Sequence, residues 1–194
     1  MGPAPATACS ASAGWNRRER ATASAPRSPV TPESRPVEIR HRVAIALGSN
    51  VGDRYAHLRF AVEHLSEHLA ALRLSTFRET EPVDVPEPQP LYLNAVAVGE
   101  SPLDPDGLMD VLLAIEHARG RSRPSDRAPR TLDLDLILFD DRVITTSRLT
   151  VPHPRFRERM FVLEPLAELA PEWVDPVTGK TVGDLWINLK RPPG

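Results

Sequence analysis

The segment Thr131–Phe139, with the sequence TLDLDLILF, restricts the fold more than any other part of the chain. Its apolar and polar residues alternate with a period of two, and side chains along a β-strand point alternately to opposite faces. The alternation predicts a strand with one apolar face, made by Leu132, Leu134, Leu136 and Leu138. Asp133 and Asp135 are then expected on the other face, about 7 Å apart.

Two carboxylates side by side on a strand suggest a site for cations. Asp is uncommon in strands, and a like-charged pair raises the free energy of the folded chain unless cations lie between the two groups. Carboxylate oxygens suit Mg²⁺, which commonly combines one or two of them with substrate phosphates. A solvated polar face on an exposed sheet is the alternative interpretation of the same pattern.

The loop before this strand favours the metal and phosphate interpretation. Residues 120–130, GRSRPSDRAPR, carry four guanidinium groups, at Arg121, Arg123, Arg127 and Arg130. Guanidinium groups bind phosphate oxygens through two parallel hydrogen bonds, so arginines beside acids suggest a joint site for metal and phosphate. A solvated run of charges remains the alternative.

Earlier segments extend the pattern into alternating strands and helices. Apolar runs predict strands at Arg42–Leu47, Arg73–Thr80 and Leu91–Glu100. Apolar residues at three- and four-residue spacing predict one helix through Leu58, Val62, Leu65, Leu69 and Leu72, and a second through Leu108, Val111, Leu112 and Ile115. The Pro-rich segment 82–90 predicts a loop, since proline cannot donate a ladder hydrogen bond.

The order of these elements predicts the fold class. Strand, helix, strand, strand, helix, strand is the ferredoxin-like βαββαβ arrangement, an α+β sandwich in which helices pack on an antiparallel sheet. Beyond it we expect a short strand at Val143–Thr145. A C-terminal helical extension is expected over Pro154–Ala170, interrupted at Pro165.

The first 40 residues differ in composition from the rest. They contain six prolines but no Leu, Phe or Tyr, so they cannot bury enough apolar surface to offset chain entropy. We expect residues 1–40 to form a disordered tail and 41–194 the domain. An organelle transit peptide is the alternative, but Glu19, Glu33 and Glu38 argue against it.

Charge and composition exclude several classes of protein. No apolar run approaches the roughly 20 residues that cross a bilayer, so no membrane contact is expected. The formal net charge of −2 gives no broad basic surface for nucleic acid. The one cysteine, Cys9, excludes an internal disulfide and suits a reducing compartment, so we expect a cytoplasmic protein. We also expect it to act as a monomer.

Several further residues could serve a ligand. Tyr92 and Asn94 share a strand face and could hold a heteroaromatic ring, or could simply belong to a half-buried sheet. His153 could contact a phosphate or cap a helix. Gly48-Ser49-Asn50 could present backbone N–H groups to an anion, although neither GxxxxGK[ST] nor GxGxxG occurs in the chain.

Several of these motifs together resemble one family. They are Gly48-Ser49-Asn50, Tyr92-Leu93-Asn94-Ala95, the run PRTLDLD over 129–135, VPHPR over 151–155 and RMFVLEPL over 159–166. In this order, over about residues 42–175, they resemble 6-hydroxymethyl-7,8-dihydropterin pyrophosphokinase. Such an enzyme moves the β,γ-diphosphate of ATP onto the hydroxymethyl group of 6-hydroxymethyl-7,8-dihydropterin and releases AMP, in folate biosynthesis.

The resemblance implies a role for each matching residue. Asp133 and Asp135 would hold two Mg²⁺ ions on the phosphates, and Arg121 and Arg130 would be the catalytic arginines. The pterin would be bound by Thr80, Val83, Tyr92, Asn94, Glu116 and Phe161. ATP would be bound by Arg123, Arg148, Thr150, His153 and Arg159.

Two departures from the family pattern and two other functions remain open. Ala128 stands where the family has Trp-Gly, and Pro154 follows His153 where an aromatic residue is common. Another two-metal phosphoryl or nucleotidyl transferase would use the same Asp pair. A non-catalytic ferredoxin-like binding module would have no use for the Arg and Asp residues together.

Overall fold

The computed structural model describes residues 39–83, 88–120 and 129–191. The predicted tail lies almost wholly outside these residues, as does most of the arginine-rich loop with Arg121 and Arg123. The tail therefore stays a prediction.

One antiparallel sheet forms the centre of the described domain. Its strands and the two helices between them are β1 His41–Ser49, α1 Arg54–His68, β2 Ala70–Leu74, β3 Arg78–Thr80, β4 Tyr92–Ser101, α2 Pro105–Ala118 and β5 Asp133–Phe139. The strand order is β2-β4-β1-β5, and β3 pairs with β4 farther along the same edge. Each neighbouring pair is antiparallel. This order confirms the ferredoxin-like fold expected from the sequence.

Both helices of this unit begin at an aspartate cap. The side chain of Asp53 accepts from the N–H of Ala56 at 3.0 Å, and that of Asp104 accepts from the N–H of Gly107 at 2.7 Å. These bonds satisfy backbone donors that have no partner inside the helix. Gly120, at φ +73°, follows α2 in the left-handed conformation that glycine adopts without strain.

The prediction of one strand over Arg73–Thr80 is wrong, because the chain forms two strands there. Between β2 and β3, the hydroxyl of Ser75 accepts from the N–H of Val96 at 2.9 Å. Thr76 turns away from β4, and its N–H and hydroxyl donate to the carboxylate of Glu168 at 3.0 and 2.9 Å. The N–H of Ser75 still donates to the carbonyl of Val96 at 2.9 Å, and side-chain hydrogen bonds replace the ladder from Thr76.

Helices cover both faces of the sheet. Helices α1 and α2 bury the first face, against residues such as Ile45, Ala95 and Leu134. The C-terminal extension covers much of the second face with α3 (Met160–Leu169) and α4 (Val182–Lys190). The expected helix over Pro154–Ala170 is shorter, because a 3-10 turn at Phe156–Glu158 precedes α3. The expected interruption at Pro165 is wrong, since Pro165 lies inside the continuous helix α3.

A bulge in β5 changes the expected alternation near its end. Ala44 pairs with Leu138 but the next residue, Ile45, pairs with Leu136, so β5 has one extra residue at this point. Ile137 and Leu138 consequently both pack into the core of the second face. The prediction that Leu138 shares a face with Leu132, Leu134 and Leu136 is therefore wrong, while Asp133 and Asp135 keep their predicted face.

A small hairpin follows β5. It consists of β6 Ile144–Thr145 and β7 Thr150–Val151, and β6 agrees with the short strand expected there. Among the described residues, no helix has the length and apolar character needed to span a membrane.

Candidate active site

The polar end of the second face forms the floor of the site. In the register of the sheet, Gly48 of β1 lies between Asn94 of β4 and Asp133 of β5. A Cβ atom on Gly48 would lie only 2.9 Å from Oδ1 of Asn94 and 3.7 Å from Cδ1 of Tyr92. Glycine at this position therefore leaves the space into which the Asn94 side chain extends.

Asn94, Thr80 and Tyr92 form one side of this floor. The side-chain amide of Asn94 donates to the hydroxyl of Thr80 at 2.6 Å, and Thr80 pairs with Tyr92 across β3 and β4. Burial raises the pKa of Tyr92, and Asp133 adds to this effect while Arg130 opposes it. Tyr92 therefore keeps its phenol proton at neutral pH and presents a neutral aromatic surface.

Asp133 and Asp135 form the opposite side, as the alternation predicted. Nη1 of Arg130 donates to Oδ2 of Asp133 at 2.5 Å. Burial by itself would lower the pKa of Arg130, but Asp133, Asp135 and Tyr92 together raise it above its ordinary value. The guanidinium is therefore charged at every pH at which the chain is folded.

The side chains of Arg159 and His153, both from the segment after β7, approach Asp135. Nη1 of Arg159 lies 3.9 Å from Oδ2 of Asp135, and Nε2 of His153 lies 4.0 Å from the same oxygen. The backbone N–H of His153 donates to the carbonyl of Ile137 at 3.0 Å, which fixes this segment to β5. The two carboxylates thus lie between Arg130 on one side and Arg159 with His153 on the other.

His153 is neutral at physiological pH. Burial and the nearby Arg159 lower its pKa to about 4. Its Nδ1 accepts from the backbone N–H of Arg155 at 3.2 Å, so the single proton of the neutral ring lies on Nε2. This places an N–H donor toward Asp135 and toward any anion bound beside it.

A cavity of about 470 Å³ opens beside the floor, between β3 and the start of α3. Its lining includes Thr80, Val83, Arg159 and Phe161. The guanidinium of Arg159 lies over the ring of Phe161, 5.6 Å from its centroid. Most of its lining residues are charged, and Phe161 supplies one aromatic wall. A concave space of this volume is typical of small-molecule sites.

The donor set suits a cation that also binds substrate phosphates. Within the described ranges, no group of three or more His, Cys, Asp and Glu side chains could enclose a metal ion. A pair of carboxylates on one strand is instead the partial ligand set that Mg²⁺ uses when phosphate oxygens and water complete its shell.

Comparison with known proteins identifies the family. Residues 44–171 match the family model described as 7,8-dihydro-6-hydroxymethylpterin-pyrophosphokinase, or HPPK. The chain belongs to the HPPK family.

Relatives with this name are similar over most of their length. The 2-amino-4-hydroxy-6-hydroxymethyldihydropteridine pyrophosphokinase of Synechocystis sp. is 40% identical over 157 residues, which are 80% of this chain and 79% of the relative. The protein of the same name from Bacillus subtilis is 45% identical over 130 residues, 66% of this chain and 77% of the relative.

A solved structure shares the fold. The HPPK-DHPS of Plasmodium falciparum, in the wild-type form with SDX-DHP, superposes with a TM-score of 0.64 at 14% identity. The alignment covers 77% of this chain and 44% of the solved one, so this chain spans less than half the length of that protein.

Not every residue that the HPPK resemblance assigned is brought to the site. Glu116 is 0% exposed, and its carboxylate accepts from the N–H of Leu134 at 2.7 Å. It lies on α2, which packs on the first face, whereas Tyr92 and Asn94 lie on the second. The geometry gives Glu116 a role in holding β5, and its role against the pterin stays a prediction.

Two residues assigned to ATP by the HPPK resemblance lie on the hairpin after β5. The guanidinium of Arg148 forms an ion pair with Asp110 of α2, and Thr150 pairs with Thr145. Within the described residues, neither contact connects these side chains to the Asp pair. Arg121 and Arg123 lie outside the described residues, so their roles stay predictions.

Sequence reasoning missed how this HPPK chain uses Asn50. From the sequence, the Gly48-Ser49-Asn50 motif could present backbone N–H groups to an anion. The N–H of Asn50 instead donates to the carbonyl of Arg130 at 3.0 Å, and its side chain is almost fully buried. The sequence signal for this role was an asparagine directly after a strand. Its side-chain amide can both donate and accept hydrogen bonds and can therefore join two loops.

Proposed function

We propose that this chain transfers the β,γ-diphosphate of ATP to 6-hydroxymethyl-7,8-dihydropterin. The pterin hydroxymethyl oxygen attacks the β-phosphorus, the bond from that phosphorus to the α,β-bridging oxygen breaks, and AMP leaves. The hydroxyl proton is released to solvent or to AMP. The product is the pterin diphosphate, an intermediate for folate biosynthesis.

The observation that carries this proposal is the position of the Asp pair. Asp133 and Asp135 lie between Arg130 and Arg159, next to the floor formed by Tyr92 and Asn94. A reaction between a polyphosphate and a flat heteroaromatic alcohol requires a charged surface that binds the phosphates next to an aromatic surface that binds the ring. Transfer of a phosphoryl group depends mainly on positioning and on neutralising charge, which metal ions and arginines supply.

Asp133 and Asp135 would hold two Mg²⁺ ions, which neutralise the charge of the transferring diphosphate when bound. Arg130 keeps its charge at all relevant pH values and would stabilise the negative charge that develops on the moving group. His153, which donates from Nε2, and Arg159 would orient the triphosphate of ATP. Arg121 and Arg123 would assist from the loop before β5.

The pterin would lie against Tyr92 and Phe161, with Asn94 bonding to its polar edge. Thr80 would fix the amide of Asn94 through the 2.6 Å hydrogen bond, and Val83 would close the cavity. We propose that the chain acts as a monomer. The single cysteine favours a reducing compartment, and the cytoplasm is the proposed location.

The test is product analysis with ATP and Mg²⁺, with and without the pterin. We expect AMP only when the pterin is present, together with a pterin product that has gained two phosphates. ADP would indicate attack at the γ-phosphorus and a different kinase. Absence of any nucleotide product would favour a binding module.

Asp135→Asn tests the Asp pair within the same assay. The change keeps the shape of the side chain and removes its charge, so we expect AMP formation to fall by about 100-fold or more. Asp141→Asn is the matched control, since Asp141 is exposed in the turn after β5. Equal activity in the two variants would contradict the metal assignment.

A further inference from the structure

Asn50 occupies a buried position between two segments that lead into the site. It follows β1 directly and is 1% exposed. A buried primary amide must find partners for both its oxygen and its nitrogen, since an unpaired group would cost free energy. Asn50 finds these partners in two different segments of the chain.

The first partner is the segment before β5. Oδ1 of Asn50 accepts from the backbone N–H of Arg130 at 2.7 Å, and the backbone N–H of Asn50 donates to the carbonyl of Arg130 at 3.0 Å. Both polar backbone groups of Arg130 are therefore bound to one residue. This pairing sets the position from which the Arg130 side chain reaches Asp133.

The second partner is the segment before β4. Nδ2 of Asn50 donates to Oε1 of Gln89 at 3.0 Å and lies 3.5 Å from the carbonyl of Pro90. Tyr92, the first residue of β4, follows two residues after Pro90. The amide nitrogen of Asn50 thus binds the segment that leads into Tyr92 and the proposed pterin surface. The amide oxygen binds the segment at Arg130, beside the proposed phosphate site.

The two segments border a shared cleft. Pro90 and Leu91 from one segment, Pro129 from the other and Asn50 itself line a space of about 500 Å³. A displacement of either segment would change the shape of this cleft. The Asn50 side chain connects the two segments, because it is hydrogen-bonded to both.

We propose that Asn50 is a positioning residue that couples the two segments, so that ordering on the Tyr92 side is transmitted to Arg130. This inference rests on the proposed diphosphate transfer for its catalytic consequence. Its structural content, the coupling of Gln89 to Arg130 through one amide, does not require the chain to be active. Asparagine suits this role because its side chain both donates and accepts.

The structural test follows hydrogen exchange of the Arg130 amide by NMR in the full chain. Asn50→Ala removes the acceptor, and we expect exchange at Arg130 to become at least about tenfold faster. Gln89→Ala leaves Oδ1 of Asn50 in place as the acceptor for Arg130 but removes the hydrogen-bond partner of the Asn50 Nδ2. We expect it also to accelerate exchange at Arg130, and to have no further effect in the Asn50→Ala background.

The catalytic test measures kcat and KM for the same variants. A misplaced Arg130 should lower kcat for AMP formation by about 10- to 100-fold, with KM for ATP changed by less than about threefold.

Ser101→Ala is the control for lost stability. It removes another buried side-chain hydrogen bond, from the N–H of Leu103 to the Ser101 hydroxyl, at the opposite end of the sheet. We expect unchanged kcat and unchanged exchange at Arg130. An equal loss of kcat in Ser101→Ala would overturn the inference, because general destabilisation would then explain the result.

The outcomes separate this inference from the proposed function. An inactive wild-type chain refutes diphosphate transfer and the catalytic consequence, while the exchange measurements still decide the coupling. If Gln89→Ala leaves exchange at Arg130 unchanged, the coupling is refuted even in an active enzyme. If Asn50→Ala leaves kcat unchanged, the positioning role is refuted.

Discussion

Arg130 and Asp133, three residues apart, are joined by a hydrogen bond of 2.5 Å from the guanidinium to the carboxylate. Arg130 lies shortly before β5, and Asp133 is the first residue of that strand. The arginine that we assign to catalysis is therefore held by one of the two carboxylates that we assign to metal binding. Both groups are partly shielded from water, which strengthens their interaction relative to an exposed ion pair.

Arg130→Lys should lower kcat while leaving the fold intact. Lysine keeps the positive charge but lacks the planar fork that can bind two oxygens together. We expect a decrease in kcat of about 100-fold, measured as pterin-dependent AMP formation. Arg142→Lys, at an exposed arginine over Phe139, is the matched control. Similar losses in the two variants would show that the Arg130 fork has no special role.

Gly48→Ala should disturb the pterin surface and the stability of the sheet. The new methyl group would lie 2.9 Å from Oδ1 of Asn94, which must then move. We expect the free energy of unfolding to fall by about 1–3 kcal/mol and the pterin Kd to rise at least about tenfold. Both are measurable, by urea denaturation and by the fluorescence of the bound pterin.

An Asn94→Ala background separates the clash from other effects of Gly48→Ala. With the amide removed, the nearest remaining atom is Cδ1 of Tyr92 at 3.7 Å, an ordinary van der Waals distance. The additional loss of stability should therefore largely disappear in the double variant. An undiminished loss would mean that Gly48 is required for a reason other than the Asn94 side chain.

His153 should make folding sensitive to acid. Its pKa falls from 6.5 to about 4 on folding, so between these values the unfolded chain binds a proton that the folded chain does not. Stability contributed by the neutral ring is complete above about pH 6.5 and is lost as the pH falls toward 4. The loss should reach about 1–3 kcal/mol in the free energy of unfolding.

His153→Gln removes this titration and provides the comparison. The difference in unfolding free energy between wild type and variant should decrease from pH 7 to pH 4, when both are measured by denaturant unfolding. A constant difference over this range would show that the histidine is not buried in its neutral form.

Asp175 should be important for stability rather than for chemistry. It is 0% exposed and accepts from Nε and Nη2 of Arg157 at 2.7 and 2.6 Å. Burial by itself would raise its pKa, but the hydrogen bonds from Arg157 and Thr178 lower it. Its contribution to stability is therefore present above the ordinary Asp pKa and is lost as the pH falls through the lower folded value.

Asp175→Asn should lower the free energy of unfolding at pH 7 by about 3 kcal/mol, because it leaves the Arg157 charge without its counterion. The melting temperature should fall accordingly, while kcat measured well below that temperature should change by less than about threefold. Asp141→Asn, an exposed substitution, should leave the melting temperature unchanged. A large decrease in kcat at a temperature at which the variant is fully folded would instead indicate that the Arg157–Asp175 ion pair helps to position Arg159.

Local sequence patterns predicted most of the fold and the centre of the site. The alternation in β5 placed Asp133 and Asp135 on one face, and the spacing of apolar residues located α2 and most of α1. The prediction that α1 includes Leu72 is wrong, because α1 ends at His68 and Leu72 lies in β2. These features depend on the period of a strand or a helix, which a few consecutive residues determine. The Pro- and Gly-containing turns then allowed the order of the elements to be recognised.

Contacts between distant segments account for what the sequence did not predict. The break between β2 and β3 involves Glu168, which lies 92 residues after its partner Thr76. Asn50 binds Arg130 across 80 residues. Such pairs leave no periodic signal, because their separation depends on how the whole chain folds back on itself.

By itself, the sequence determined the ferredoxin-like order of elements and the two carboxylates that face away from Leu134 and Leu136. The tertiary structure decided the bulge that moves Leu138 to the second face, the burial of Glu116 against Leu134 and the covering of the second face by α3 and α4. It also decided that the amide of Asn50 joins two loops. The physical reason is that side-chain period is a local property, whereas burial and hydrogen-bond partners depend on which strands and helices become neighbours.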